Sequence, residues 1–378
     1  MRVDERLTLG YACAWWQPRR STWSGTPAGL LDAFVQRDDV HIVPIEAQRP
    51  IAGKVALAVA HRLSTRNAWQ YGVANRLLTD RKVRRIASER RCDALLAVGE
   101  TETIAALPTF LYQDMGFATV AAHFDRLGAR APNVPPMSRR RLAALVRDQR
   151  KRYESCAGIL TMGDWFARWL IDEEGIEPDK VQVVGGGLNA RFDNLPPRSV
   201  STSRERLLFI GRDFLRKGGD LVVDATAMAR RQTGLDYRLT VAGPTKWPLP
   251  KPPPSWVTFC GDASPSEVGR LLVQSDILVV PSWFEAYGLV FLEARAAGLP
   301  CIARRAFAMP DLVPDERAGI LVSEDGGADE VAAAIARVST DDHIFGQVAI
   351  EAQTVAQEYS WKAVASRSLH AIRRRMTT

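Results

Sequence analysis

Short continuous apolar runs alternate with stretches of helical spacing along the first half of the chain. "RLTLGYACAW" (6–15), "DVHIVPIE" (39–46), "CDALLAVG" (92–99), "TFLYQD" (109–114), "AGILTMG" (157–163) and "KVQVVGGG" (180–187) read as strands. "LLDAFVQR" (30–37) and the amphipathic "DWFARWLIDEEG" (164–175) read as helices. Buried strands alternating with helices predict a parallel sheet covered on both faces. Residues 195–204, "LPPRSVSTSR", have prolines, small polar residues and no periodicity, and read as a linker. The pattern then restarts with "RLLFIG", "YRLTVAG", "WVTFCG", "DILVVPS", "PCIARR" and "GILVS" as strands, with helical stretches among them. Two doubly wound α/β domains are therefore expected, at 1–195 and 196–355. The final "EYSWKAVASRSLHAIRRR" reads as an amphipathic helix within a separate segment, 356–378.

Composition sets limits on this picture. A chain of 378 residues suits two cores, and 46% apolar with 25% charged residues is ordinary globular usage. No run approaches the length of a membrane span, and the amino-terminal stretch reads as a first strand rather than a signal peptide. Five scattered cysteines without a C-x-x-C pair fit a reducing cytoplasm and argue against a disulfide framework or a zinc site. The net charge of +7 is uneven: residues 1–195 hold 28 Lys+Arg against 22 Asp+Glu. Much of that excess lies in "DRKVRRIASERR" (80–91) and "SRRRLAALVRDQRKR" (138–152). Each run reads as a solvated helix face, or as a surface for anionic lipid or an acidic acceptor. Nucleic acid is disfavoured, because no nucleic-acid-binding motif accompanies the charge.

Candidate chemistry falls in loops after strands, where open parallel sheets bind their ligands. In "FIGRDFLRKGGD" (209–220), Arg212 and Lys217 lie between a strand and a helix, a setting suited to a phosphate. In "EAYGLVFLE" (285–293), Glu285 lies in the loop after a buried strand and Glu293 some way into the next helix. The helix is expected to start near Gly288, so the amides of Gly288, Leu289 and Val290 have no partner within it. A carboxylate on either side of such amides suits hydroxyls flanking a phosphate. Taken singly, Glu285 also reads as a helix cap and Glu293 as a solvated helix residue.

Together these stretches resemble the GT-B glycosyltransferases of the retaining family 4, the glycosyl transferases group 1. That family has an R-x4-K pair after the first strand of its C-terminal domain and an E-x7-E motif, matched here by Arg212/Lys217 and Glu285/Glu293. The resemblance implies two Rossmann-like domains facing an interdomain cleft, with the C-terminal helix crossing back to the N-terminal domain. It implies that Arg212, Lys217 and the 288–290 amides hold a donor diphosphate, and that Glu293 binds ribose hydroxyls. Glu285 would contact the donor sugar, Gly25 of "TWSGTP" would approach the phosphates, and Gly243 would border the nucleobase. Several relatives place a histidine at the end of an N-terminal strand. Here Gln113 and Asp114 stand there, and Asp114 reads as a general base, as a group that orients the sugar, or as a cap of the following turn.

The expectation is a retaining, metal-independent hexosyltransferase using a UDP- or GDP-linked sugar, with no cofactor. The chain lacks a D-x-D tripeptide, and protein cations would serve in place of a metal. The acceptor would be a glycan or lipid-linked hydroxyl, with Trp23 as a stacking candidate; at least one of Trp15 and Trp16 would pack in the core. A cytoplasmic location, peripheral at the inner membrane face, fits the basic runs. An epimerase or other Rossmann enzyme is the alternative, but its first βα turn should read G-x-G-x-x-G, and "GYACAWWQPRRSTWSG" does not. A non-catalytic nucleotide-sugar-binding protein is the third reading.

Overall fold

A computed structural model describes residues 6–15, 18–47, 73–99, 107–127, 138–192 and 203–377, which form two compact units. The first holds the described residues of 6–123, 138–187 and 361–377, and the second those of 124–127, 188–192 and 203–360. Most of the 195–204 stretch, with Trp16, lies outside the described residues.

The first unit is built on a six-stranded parallel sheet of order β2-β1-β3-β4-β5-β6. Its strands are β1 (Leu7–Cys13), β2 (Val40–Glu46), β3 (Ala94–Val98), β4 (Thr109–Gln113), β5 (Gly158–Thr161) and β6 (Val181–Val183). β3, β4 and β5 are buried along their whole length, which explains the continuous apolar runs at their centres. The edge strand β2 has buried positions interrupted by exposed His41, Pro44 and Glu46. The chain moves one way across the sheet from β2 to β3 and from β4 to β5. Right-handed crossovers therefore put the helices Val73–Glu89 and Arg139–Ser155, which carry both basic runs, on one face. The first crossover, through Thr26–Val35, runs the other way and covers the opposite face.

The C-terminal helix Trp361–Thr377 packs against Thr26–Val35 and β5. Its entry is fixed by Trp361, whose indole lies where side chains on Gly29 and Gly187 would be; a Cβ there would come within 2.2 and 2.3 Å of the ring. Arg367 donates to the Val184 carbonyl (2.8 Å) and Arg373 to the Asp39 carboxylate and carbonyl (2.8 and 2.6 Å). Hydrogen bonds from Arg37, aided by Arg373, hold the Asp39 carboxyl down at about 2.

The second unit has a parallel sheet of order β12-β11-β10-β7-β8-β9. Its strands are β7 (Arg206–Ile210), β8 (Arg238–Ala242), β9 (Val257–Gly261), β10 (Ile277–Val279), β11 (Cys301–Arg304) and β12 (Gly319–Val322). From β7 the chain steps to β8 on one side, whereas β10 pairs with β7 on the other. The direction of winding thus reverses at the β7/β10 seam, the place where open α/β sheets form their ligand crevice. At the amino ends of these strands, fully buried Asp276 accepts from Arg206 Nη2, Nε and N (2.7, 3.0 and 3.0 Å). This charge-assisted clasp fixes β7 against β10 and so sets the geometry of the loops at their other ends.

Candidate active site

The loop after β7 leads into the helix Gly219–Thr233, and the loop after β10 into the helix Leu289–Ala296. Glycines let the two loops touch. Gly218 has φ +75°, and a Cβ there would lie 2.7 Å from the Pro281 carbonyl oxygen. Trp283 N–H donates to the Arg216 carbonyl (2.8 Å), and Arg216 Nη1 returns a bond to the Phe284 carbonyl (2.6 Å). Arg216 is itself held by Asp213 (2.9 Å).

Across this seam Lys217 Nζ meets Glu285 Oε2 at 2.8 Å, with side chains only 15% and 10% exposed. The fully buried Ser282 donates its hydroxyl to the same oxygen at 3.1 Å. Burial pushes the Glu285 pKa up, but the charges of Lys217 and Arg216 and the hydrogen bonds from Lys217 and Ser282 outweigh it and hold it below the usual range. Glu285 is thus an anion in a nearly dry seam. It does not cap the following helix, since both bonds to its carboxylate come from other groups.

The helix begins where the sequence places it, with Gly288 at its N-cap in a left-handed conformation, φ +97°. A Cβ at 288 would press on Phe291 (2.8 Å) and on Glu285 Cγ (3.0 Å), so glycine keeps this turn close to the acid. The amides of Gly288, Leu289 and Val290 carry no hydrogen bond to another described residue. Glu293, four residues into the helix, is buried rather than solvated (7% exposed). Its Oε1 accepts from the amides of Asn189 and Ala190 at 3.0 and 2.8 Å. Burial raises its pKa, opposed by those amides and by Lys217. Each acid therefore has one oxygen committed to the protein, while Glu285 Oε1 and Glu293 Oε2 accept no hydrogen bond from a described residue.

Arg212 stands apart from this cluster. It points outward to Asp262 at 3.2 Å, with side chains 61% and 55% exposed, an arrangement worth at most about 1 kcal/mol. Gly243, after β8, has φ +118° and lies so close to the β7 loop that a Cβ would sit 2.5 Å from the Gly211 carbonyl carbon.

In the first unit, Trp23, Ser24 and Gly25 all have positive φ (50°, 55° and 92°) just before the helix Thr26–Val35. An aromatic residue there is uncommon and marks a constrained loop. Trp23 is half-buried and Gly25 buried. Trp15 is buried and its ring stacks with Tyr11 at 6.5 Å, a core position. Asp114 is half-buried at the carboxyl end of β4. Gln113 beside it is internal: it donates to the Gly99 carbonyl (3.1 Å) and accepts from Tyr153 (2.8 Å).

Four contributors escaped the sequence reading: Ser282, Arg216, Arg304 and the Asn189–Ala190 amides. Arg304 ends β11 and is 1% exposed. Its Nη1 donates to the carbonyls of Ser323, Glu324 and Gly326 (3.1, 2.6 and 3.2 Å) and its Nε to Pro281 (3.3 Å). The guanidinium carbon lies 3.9 Å from the centre of the Trp283 ring. Arg304 thereby braces the loop that carries Glu285. Ser282 was visible three residues before Glu285; the other contacts join distant segments and leave no local signal.

These features define a GT-B protein: two parallel α/β sheets, with a basic and an acidic motif meeting at the switch point of the second. The family model of the glycosyl transferases group 1 matches residues 204–341. It is 30% identical over 257 residues to the D-inositol 3-phosphate glycosyltransferase of Kribbella flavida, an alignment covering 58% of this chain and 57% of that protein. The chain thus spans little more than half the length of that curated relative. In fold it is similar to a glycosyltransferase from Rickettsia africae ESF-5 (TM-score 0.68, 14% identity, 99% of this chain and 100% of that one). It is similar also to Anabaena HepE in complex with UDP-glucose (TM-score 0.64, 16% identity, 98% and 100%).

Proposed function

We propose that this chain is a retaining glycosyltransferase that moves a hexose from a UDP- or GDP-linked sugar to an acceptor hydroxyl without a metal ion. The observation that carries the reading is the Lys217–Glu285 pair at the β7/β10 switch point, beside the amides that open the helix Leu289–Ala296. Two acids, each with one oxygen committed and one open, flank those amides in the order a nucleoside-diphosphate sugar requires: sugar, phosphates, ribose. The UDP-glucose bound by Anabaena HepE, a protein of the same fold, agrees with a donor of this class.

In the reaction the bond from the anomeric carbon to the phosphate oxygen breaks and the acceptor oxygen bonds to that carbon from the same face. The acceptor proton passes to the departing diphosphate. Negative charge grows on the diphosphate and positive charge on the sugar ring. Lys217 and the helix amides stabilise the first, and the anionic Glu285 the second. Arg212 is exposed and, among the described residues, is held by a surface pair alone, so it can turn to the phosphates. Gly25, Asp114 and Trp23 of the first unit are assigned to the phosphate approach, the acceptor proton or sugar orientation, and acceptor stacking. Gly243 is assigned to the nucleobase pocket.

The acceptor is read as a glycan or lipid-linked hydroxyl that carries negative charge. Both basic helices lie on one sheet face, and the Kribbella flavida relative is named for an acceptor that bears a phosphate. Among the described residues no helix is long and apolar enough to cross a membrane, so the contact proposed with an anionic bilayer at the cytoplasmic face is peripheral.

A donor panel scored by nucleotide release, with and without a chelator, tests the reading. Release from a UDP- or GDP-hexose that survives chelation, with the product anomer unchanged by NMR, is expected. Silence across the panel rejects the transferase, loss on chelation rejects metal independence, and an inverted anomer rejects retention.

A further inference from the structure

We propose that Ser282 is a positioning residue for this reaction: with Lys217 it pins Glu285 through Oε2 alone, keeping Oε1 turned to the donor sugar. The inference deepens the transferase reading and rests on it. A glutamate carboxylate ends in a broad torsion with little preference of its own, so one contact from a lysine tip would let it swing. A second donor on the same oxygen fixes the carboxylate plane.

Ser282 suits that task because it has little freedom. Its side chain is fully buried, and its N–H donates to the Val280 carbonyl at 2.9 Å, at the end of β10. The preceding carbonyl, that of Pro281, is held by Arg304. The hydroxyl is therefore presented from a rigid support, as a pre-organised site requires. The charged groups facing Glu285 are Lys217 and Arg216 from the β7 loop, the latter already paired with Asp213. Arg304, at the end of β11, spends its donors on carbonyls. Ser282 is thus the neutral partner that sets direction without adding charge.

The test follows the Glu285 carboxyl carbon by NMR against pH in 13C-glutamate-labelled full chain, with the signal assigned by its loss in Glu285→Gln. Wild type, Ser282→Ala and Ser282→Thr are compared, and donor kcat and KM are measured across the same pH range. In Ser282→Ala the midpoint is expected to rise, because a hydrogen bond to the charged form is lost, and the acid limb of kcat/KM should move with it. A fall in kcat of about tenfold, with donor KM changed less, is the size of one hydrogen bond to a charged group. Ser282→Thr should restore both. An unmoved midpoint in Ser282→Ala overturns the proposal. Should that variant fail to fold, Ser282→Cys replaces it and its midpoint must lie above that of wild type and of Ser282→Thr, its thiol being a weak donor; an unmoved midpoint there overturns the proposal equally. A moved midpoint without turnover of any nucleotide sugar keeps the pinned carboxylate and removes the transferase reading. Turnover with an unmoved midpoint does the reverse.

Discussion

Replacing Lys217 with methionine isolates the contribution of the ion pair at the seam. Methionine keeps most of the stem that lies over Gly211 and removes the charge. At 2.8 Å, two unit charges attract by about 6 kcal/mol at an effective dielectric constant near 20, and much of that is offset by the desolvation of both groups. Breaking such a pair from one side costs about 3–5 kcal/mol, because the other charge stays buried. Ser282 and Arg216 still face Glu285, so Lys217→Met should fall at the lower end, about 3 kcal/mol. Adding Glu285→Gln removes the stranded charge and should recover most of that loss. The pH dependence follows from the depressed pKa of Glu285. In wild type its stabilising contribution is full above the ordinary glutamate range and is lost as pH falls through the lowered folded value. In Lys217→Met burial dominates and raises that pKa, so the penalty shrinks as pH drops and the gap to wild type narrows. Urea unfolding of the four proteins of the double-mutant cycle, at neutral and mildly acid pH, measures this. A coupling energy below about 0.5 kcal/mol at neutral pH, or a gap that widens on acidification, would refute the buried-pair argument.

Glu293 separates structural from ligand roles by substitution. Glu293→Gln keeps a carbonyl for the Asn189 and Ala190 amides and should cost less than about 1 kcal/mol, whereas Glu293→Ala strands both amides and should cost about 2–4 kcal/mol. Equal losses in chemical denaturation would show that the amides do not depend on it. Because burial raises the Glu293 pKa, the native state binds its proton more tightly than the unfolded chain. Wild type should therefore lose stability as pH rises from the ordinary glutamate value through the raised one, and Glu293→Gln should lack that component. Gly243→Ala places a Cβ 2.5 Å from Gly211 at φ +118°, and should destabilise by at least about 2 kcal/mol in thermal or urea unfolding; a change within about 0.5 kcal/mol would contradict the close approach of the two loops.

How far the sequence discloses this site depends on the range of each interaction. Strands β3, β4 and β5 are legible because burial on both faces forces a continuous apolar centre in each. The helix start at Gly288 is legible because a glycine between a loop and an apolar periodic stretch is a local signal. Register within a helix leaves a weaker trace. Residues 164–175 read as one amphipathic helix, yet the α-helix stops at Arg168 and continues as a wider turn over Trp169–Glu173, with Glu174 N–H bonded to the Trp169 carbonyl. Hydrophobic spacing does not specify that choice. The environment of Glu293 is less legible still, since its two amide donors come from a segment 103 and 104 residues earlier. The outward turn of Arg212 follows from Asp262, on another loop.

The seam also explains how two identical side chains eight positions apart acquire different electrostatics. Both are buried, and burial alone would raise both pKa values. Glu285 escapes because Lys217 is in hydrogen-bond contact with it and Arg216 adds its field; Glu293 feels Lys217 only as a more distant charge, and its direct partners are neutral amides. Lys217, placed by the turn between Gly211 and Gly218, therefore sets the two acids apart, together with Arg216 and Ser282. Environments that drive paired carboxylates in opposite directions are a recurrent means of dividing roles within one site. Here the division follows distance from the reacting bond in the proposed chemistry. In that proposal Glu285, held anionic near neutral pH, is assigned to the sugar, where positive charge develops, and Glu293, whose charge burial disfavours, to hydroxyls that need only an acceptor. Without the Lys217 contact, burial acts on both acids, and on Glu285 it is opposed by Arg216 and Ser282 alone.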